Sequence, residues 1–396
     1  MTNLDQLQTF QPTSETEVCE MVKWALANNE RIDVFGSHTR QHVGKPMQTT
    51  CALDLSGLNR VQLYEPEELV LSAGAGTSLH KIETLLAKNN QRFEFEPPDF
   101  SHLLGNKSSG TLGGMVACGF AGPRRVKAGS VRDHVLGARA ISGRGELFKS
   151  GGRVVKNVTG YDLPKILTSS WGTLAAMTQI TFKVLPKPES ENTLVLTGLS
   201  LTTANLVMTK ALGSVVDVSG AAHLPDGRTV LRLEGIKPSV KSRVESLRNL
   251  LKEFGDIDIL SQFKSAELWA NVRDVKALGN KSENPIWRIS VPPASGAKAL
   301  ALINQQLDVT AIMDWAGGLI WLEIYGQETA CAAQVRHAVA QTGGHATLFR
   351  ASEKSRAGSS VFQPQPDALA ALSRRVKKVF DPQNILNPSR MYEEKS

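Results

Sequence analysis

Two hydrophobic periods alternate along the chain, and each predicts its own kind of element. Val18, Met21, Val22, Ala25 and Leu26 recur at helical spacing behind Ser14-Glu-Thr-Glu17, a capping box, so a helix is expected there. Short β-rich runs follow at 31–35, 51–55 and 69–73, and Ser78 stands as the N-cap of a helix whose apolar face is Leu79, Ile82, Leu85 and Leu86. The segments 134–142 and 145–149 flank a Gly-Arg-Gly turn and read as a hairpin. Gly160-Tyr-Asp-Leu-Pro164 opens a short helix, and a long β-rich run spans 172–184.

Beyond Pro186-Lys-Pro188 the texture changes. Strand-like runs at 193–197, 230–233, 257–260, 287–291, 310–314 and 319–325 alternate with helical ones at 239–254, 297–307 and 328–341. Such alternation predicts an α+β layer with its own core. A helix over 367–380 and a proline-rich tail close the chain. The expected organisation is a first domain over 1–188, an α+β domain over 189–350, and a segment over 351–396 that packs back on the first.

Two glycine-containing loops are the candidate chemistry. The strand at 31–35 breaks at Gly36-Ser37-His38-Thr39-Arg40, and a strand running into a small polar turn makes a nest of N–H groups that suits a phosphate. Gly110-Thr111-Leu112-Gly113-Gly114 runs into Met115-Val-Ala117, which predicts a helix start with bare backbone N–H groups.

The 396 residues suffice for two or three domains of ordinary globular composition. The N-terminal MTNLDQLQTF lacks the basic and apolar segments of a secretory signal, and no run of about 20 apolar residues occurs, so a cytoplasmic location is expected. Cys19, Cys51, Cys118 and Cys331 are too scattered to hold zinc or an iron–sulfur cluster, and no metal site is expected. The net charge of +7 is carried by residues 121–156, where nine basic residues face only Asp133 and Glu146. Phe148 is the one aromatic in that stretch, which argues against nucleic acid and leaves a solvated face, a surface beside a bound diphosphate or one facing an acidic partner subunit.

In order along the chain, GTLGG (110–114), VRDHVLG (131–137), GYDL (160–163) and GTLAAMTQITFKVLP (172–186) resemble the FAD domain of the vanillyl-alcohol-oxidase superfamily. GPRR (122–125), VRDHVLG and GGRVVKNVTGYDL (151–163) resemble one branch, the FAD-binding E subunits of bacterial glycolate oxidases. PIWRISVP (285–292), DWAGG (314–318) and FDPQNILNPSRM (380–391) extend the likeness to the end. The resemblance implies a two-subdomain PCMH-type FAD-binding domain, an α+β cap and a C-terminal segment returning to the FAD domain. It implies FAD held by Gly36, Ser37, His38, Thr39, Gly110, Thr111, Gly113, Gly114, Tyr161, Gly172, Thr173 and Ile180. The AGAGT phrase (73–77) serves tight turning, while EPPD (96–99) passes close to the flavin ring in relatives. Ser37, Ala175, Gln179 and Ser389 depart from the pattern. Some relatives tether flavin through a histidine at the position of His38; E subunits generally do not, and the side chain is expected only to pack near the dinucleotide.

Self-sufficient relatives carry an HxGDGNxH phrase in the cap, and here His223, His337 and His345 stand isolated. Arg288, Asp314 and His345 remain candidates for work at the flavin, with structural roles expected for each. The function implied is therefore an FAD-binding subunit that acts with a catalytic flavin subunit and an iron–sulfur subunit on glycolate, with D-lactate as a second substrate. Membrane association would come only through those partners. A self-sufficient FAD dehydrogenase and a scaffold that has lost its flavin are the alternatives. Gly113→Val is expected to abolish flavin retention in a soluble fold.

Overall fold

In the computed structural model, residues 7–154, 160–279 and 284–393 are described. The first part of the chain builds two small sheets against each other. Strands β1 (Gln8–Phe10), β2 (Ile32–Phe35) and β3 (Cys51–Asp54) form a parallel sheet in the order β1-β3-β2. The helix Glu15–Asn28 turns Val18, Met21, Val22 and Ala25 onto it. Ser14 caps that helix by accepting from Glu17 N.

Five antiparallel strands make the second sheet: β4 (Val61–Glu65), β5 (Val70–Gly74), β7 (Val135–Ser142), β8 (Leu147–Gly151) and β9 (Ala175–Lys183). Their order is β4-β5-β9-β7-β8, which leaves β8 at an edge. A short pair, β6 (Gln91–Arg92) with β10 (Leu185–Pro186), leads out of this module. Glu15 joins the two sheets, accepting from Arg139 and from Thr178 Oγ1.

The cap is one eight-stranded antiparallel sheet. It comprises β11 (Ser190–Leu196), β12 (Gly220–His223), β13 (Thr229–Gly235), β14 (Ile257–Leu260), β15 (Ile286–Ser290), β16 (Val309–Asp314), β17 (Leu319–Ile324) and β18 (His345–Arg350). The order is β14-β11-β13-β12-β16-β17-β15-β18. The expected α+β architecture is thus present. Two cap helices were not among those expected. Gln262–Arg273 buries Ser265 with Leu268, Trp269 and Val272, and a serine on the inner face masks the apolar spacing. That serine is satisfied by Glu191 and Thr193. Leu201–Leu212 is rich in threonine, a residue favoured in strands, yet it caps on Ser200 and buries Ala204, Val207, Met208 and Ala211.

Cap and first module meet through two contacts of opposite character. One is aromatic: Phe100 and Phe120 from the module pack on Phe349 of the cap, and Phe100 also meets Trp321. The other is ionic and buried. Glu96 accepts two parallel bonds from Arg232 of β13 at 2.9 Å each, and also takes the backbone N–H of Arg124 at 2.7 Å. Glu234 accepts from Arg124 at 2.6 and 2.8 Å and from Arg92 at 3.0 Å.

The last segment returns to the start. The C-terminal helix Asp367–Phe380 rests on the five-stranded sheet through Val376 and Phe380. The chain then runs parallel to β2, with Ile32 N donating to Ile385 O and Asn387 N to Ile32 O. Ser389, where relatives carry glycine, has φ = +59°. The left-handed backbone is what the glycine serves, and serine there carries strain.

Two outcomes follow. Burial opposes ionisation of Glu96, but Arg232 and Arg124 outweigh it and hold the carboxyl below its ordinary range. Its stabilising effect is fully present above the unfolded value of about 4.5 and is lost as pH falls through the lower folded value. Glu96→Gln should cost about 3–5 kcal/mol by stranding buried guanidinium charge, measured by chemical denaturation at pH 7, and should flatten the acid limb of the stability profile. Ser389→Gly should raise stability by about 0.5–1 kcal/mol, read as a higher melting temperature.

Candidate functional site

Both small sheets and the C-terminal tail open onto one cleft of about 710 Å³, counting the space open to solvent. Asp33, Gly36, Ser37, His38, Thr39 and Arg40 form one wall; Thr111, Gly113, Gly114, Ala117 and Cys118 form the facing one. Trp171, Gly172 and Arg390 close the end, over an apolar floor of Leu55, Ala75, Ala175 and Met177.

The loop after β2 has the form expected. Among the described residues, the N–H groups of Gly36, Ser37, His38 and Thr39 have no acceptor within the chain. His38 takes a positive φ of 54°, stacks on Phe35 with ring centroids 3.3 Å apart, and lies 3.3 Å from Asp33 through Nε2. The other Asp33 oxygen is buried without a partner.

The second loop differs from expectation. The helix Leu112–Cys118 does not begin with bare donors: Leu112 N donates to Thr77 O, Gly113 N to Ala75 O, and Gly114 N to the capping Thr111 Oγ1. The AGAGT turn supplies two of these acceptors, so its role is to hold the glycine loop in place. A Cβ on Gly113 would lie 2.8 Å from Ala75 Cβ, whereas one on Gly114 would meet only Thr111 Oγ1, at 3.4 Å. Gly113→Val is therefore a packing lesion, and Gly114 is the position whose bare face opens on the cleft.

Of the other expected residues, Gly110 sits beside Thr39, where a Cβ would approach Thr39 Oγ1 to 3.0 Å, and Gly172 lines the cleft end. Tyr161 stands apart, 87% exposed, with its carbonyl accepting from Ser150 Oγ. The neighbouring residues 155–159 of the GGRVVKNVTGYDL phrase lie outside the described residues. Thr173 faces a separate groove under the C-terminal helix. Ile180 is wholly buried on β9 between Ala73 and Ala138, its backbone inside the sheet ladder. The EPPD loop is absent from the cleft lining, because Glu96 is drawn into the ion cluster with Arg232.

Arg390, which lines the cleft, and Asn387, which braces it, are residues that the loop motifs did not name. Asn387 accepts from Val34 N at 2.7 Å and donates to Trp171 O at 2.8 Å, joining the strand under the first wall to the closed end of the cleft. Arg390 donates to Arg40 O at 2.9 Å, lies over the Trp171 ring at 5.6 Å, and keeps a buried Nε without a partner. The FDPQNILNPSRM phrase was the available signal. Burial pushes the Cys118 thiol up, only partly offset by Arg40 and Arg390.

Arg288, Asp314 and His345 do not line the cleft. Arg288 lies over Phe120 (5.6 Å), Trp315 (5.3 Å) and Trp321 (6.0 Å), and burial together with Arg125 pushes its pKa down to about 10. Phe120 packs edge-on against Trp171 and so stands between that guanidinium and the cleft. Asp314, pushed up to about 7 by burial, caps the turn at Trp315, and His345 is an exposed residue at the start of β18.

Four adjacent free donors, an arginine with a free Nε and an apolar floor suit a dinucleotide: donors for its diphosphate, floor for its rings. The fold and cleft are those of an FAD-linked oxidoreductase. Residues 7–151 match the family model described as FAD binding domain, and 363–391 match the C-terminal domain of FAD linked oxidases. The chain is 35% identical over 375 residues to the glycolate oxidase subunit GlcE of Escherichia coli K12, covering 95% of this chain and 96% of that one. It belongs to this family of FAD-binding glycolate oxidase subunits. It is also 24% identical over 370 residues to the glycolate oxidase subunit GlcD of Bacillus subtilis, covering 84% of this chain and 77% of that one. A 4-ethylphenol oxidase from Gulosibacter chungangensis shares the fold, with a TM-score of 0.71 at 13% identity over 98% of this chain and 89% of that one. No helix among the described residues is long and apolar enough to cross a membrane.

Gly114→Val should keep the melting temperature within a few degrees while lowering the FAD-to-protein absorbance ratio at least tenfold, roughly the effect of placing a side chain where a ligand's backbone contact is needed. Full flavin content in that variant would move the ligand elsewhere.

Proposed function

We propose that this chain is the FAD-holding subunit of a complex that oxidises glycolate to glyoxylate, with D-lactate as a second substrate, alongside a catalytic flavin subunit and an iron–sulfur subunit. The N–H groups of residues 36–39, with Arg390, hold the FAD diphosphate; Gly114 and Gly172 let the dinucleotide approach the backbone. Bound FAD supplies two-electron acceptor chemistry. The chain's own residues orient it and exclude water from its apolar floor.

The observation that carries the division of labour is the position of Arg288, Asp314 and His345. A 2-hydroxy-acid oxidation needs a cation for the carboxylate and a base for the hydroxyl proton. The cap residues able to serve are turned away from the cleft or separated from it by Phe120 and Trp171. That arrangement supports a flavin held and wired here while substrate turnover belongs to a partner.

The test is spectral and then kinetic. Purified chain should be yellow, release its FAD to the supernatant on acid precipitation, and turn over glycolate with an artificial acceptor at least a hundredfold more slowly than the assembled complex. Comparable turnover by the lone chain would make it a self-sufficient dehydrogenase. Failure to take up FAD would make it a scaffold.

A further inference from the structure

The C-terminal helix Asp367–Phe380 is strongly two-sided, yet none of its residues is fully buried. Leu369, Leu372, Val376 and Val379 recur at intervals of 3, 7 and 10 residues from the first and so share one face. The helix docks by Val376, Lys377 and Phe380, leaving Leu369 and Leu372 each 48% exposed and Val379 65% exposed. A helix ordinarily buries such a stripe, since that burial is what stabilises it.

The stripe belongs to a larger surface. Beneath the helix runs a groove of about 1800 Å³, open solvent included, with Ile166, Leu174 and Phe362 among its apolar walls. Phe380 packs against Phe148 of β8, centroids 5.8 Å apart, so the edge strand of the five-stranded sheet and its exposed Leu147 adjoin the helix.

Charge says what covers it. Arg124, Lys127 and Arg139 of the basic stretch are consumed by Glu234, Asp217 and Glu15. Arg144 and Lys149 of the hairpin and Arg374, Arg375 and Lys378 of the helix make no ion pair among the described residues. Only Glu146 and Asp367 oppose them on these two elements. A second copy would bring like charges together. A flat bilayer would not reach Phe362 and Leu174 in the groove. We propose that this face docks the acidic, apolar-ridged surface of a partner subunit, an inference that rests on the subunit reading above. Arg390 lines both groove and flavin cleft, and Gly172 and Thr173 are adjacent residues facing one and the other. A subunit docked here would stand one layer of protein from the flavin.

The test uses the tagged full-length chain expressed in its own host cells, with carbodiimide as the cross-linker because it joins lysine to carboxylate only at contact. Links from Lys378 or Lys149 to aspartate or glutamate of a co-isolated flavin or iron–sulfur subunit are expected. Leu372→Glu/Val379→Glu should lower recovery of that subunit at least tenfold with flavin content and melting temperature unchanged, and Arg375→Glu/Lys378→Glu should do the same. Links confined to the cap, or equal recovery with both variants, would overturn the docking face and leave the subunit reading standing. So would self-association lost in the variants, or sedimentation with phosphatidylglycerol vesicles lost in them. Recovery of no such subunit by the wild-type chain would overturn both readings. If a variant loses flavin or stability, the wild-type cross-links decide alone.

Discussion

The buried pairing of Glu96 with Arg232 is the constraint on which the arrangement of this molecule depends. Arg232 is fully buried on a cap strand, and a guanidinium in that position is tolerable only with a carboxylate in bidentate reach. Glu96 supplies it from the other module, at a backbone with φ of +52°. Because Glu96 also takes the N–H of Arg124, and Arg124 in turn binds Glu234, four charges lock strand β13 to two separate loops of the first module. Hydrophobic contact alone, as between Phe100 and Phe349, would hold the cap near the module but would not set its register. The ion cluster does so because a misplaced neighbour leaves a charge stranded in low dielectric.

A second constraint closes the cleft. Its first wall and its closed end come from residues near the start and the middle of the chain, and the piece that ties them is a single side chain near the end. Asn387 satisfies both Val34 and Trp171, and Arg390 reaches Arg40 from the same turn. Asp381 shapes that turn by accepting from Ile385 N and Leu386 N. The loop after β2 is therefore presented by a tail more than 340 residues downstream, as the separation of 353 between Asn387 and Val34 makes plain. Long-range closure of this kind ties the shape of the cleft to completion of the whole fold.

Local signals in the sequence were good where one short segment decides its own conformation. The Ser14 cap, the strand ending at Phe35, the nest at 36–39 and the helix Asp367–Phe380 were all legible, since each depends on spacing and turn chemistry over a few residues. Legibility failed where a partner decides. Gly110 to Gly114 looks like an open donor loop until Thr77 and Ala75 are seen to occupy its first N–H groups. Glu96 looks like a loop residue bound for the flavin until Arg232, over a hundred residues away, claims it; the separation is 136. Helix Gln262–Arg273 escaped notice because Ser265, polar by composition, is buried by hydrogen bonds that only the fold provides.

By itself, then, the sequence determined the family, the class of cofactor and the turn after β2, because motif order and turn residues are properties of the chain. Only the tertiary structure decided which residues meet the cleft. It brought in Arg390, set Asn387 as a brace between Val34 and Trp171, left Tyr161 and Ile180 outside, and turned Arg288 toward three aromatic rings. The reason is physical: whether an N–H, a carboxylate or a guanidinium is available to a ligand depends on what else in the folded molecule has already satisfied it, and that partner can lie anywhere in the chain.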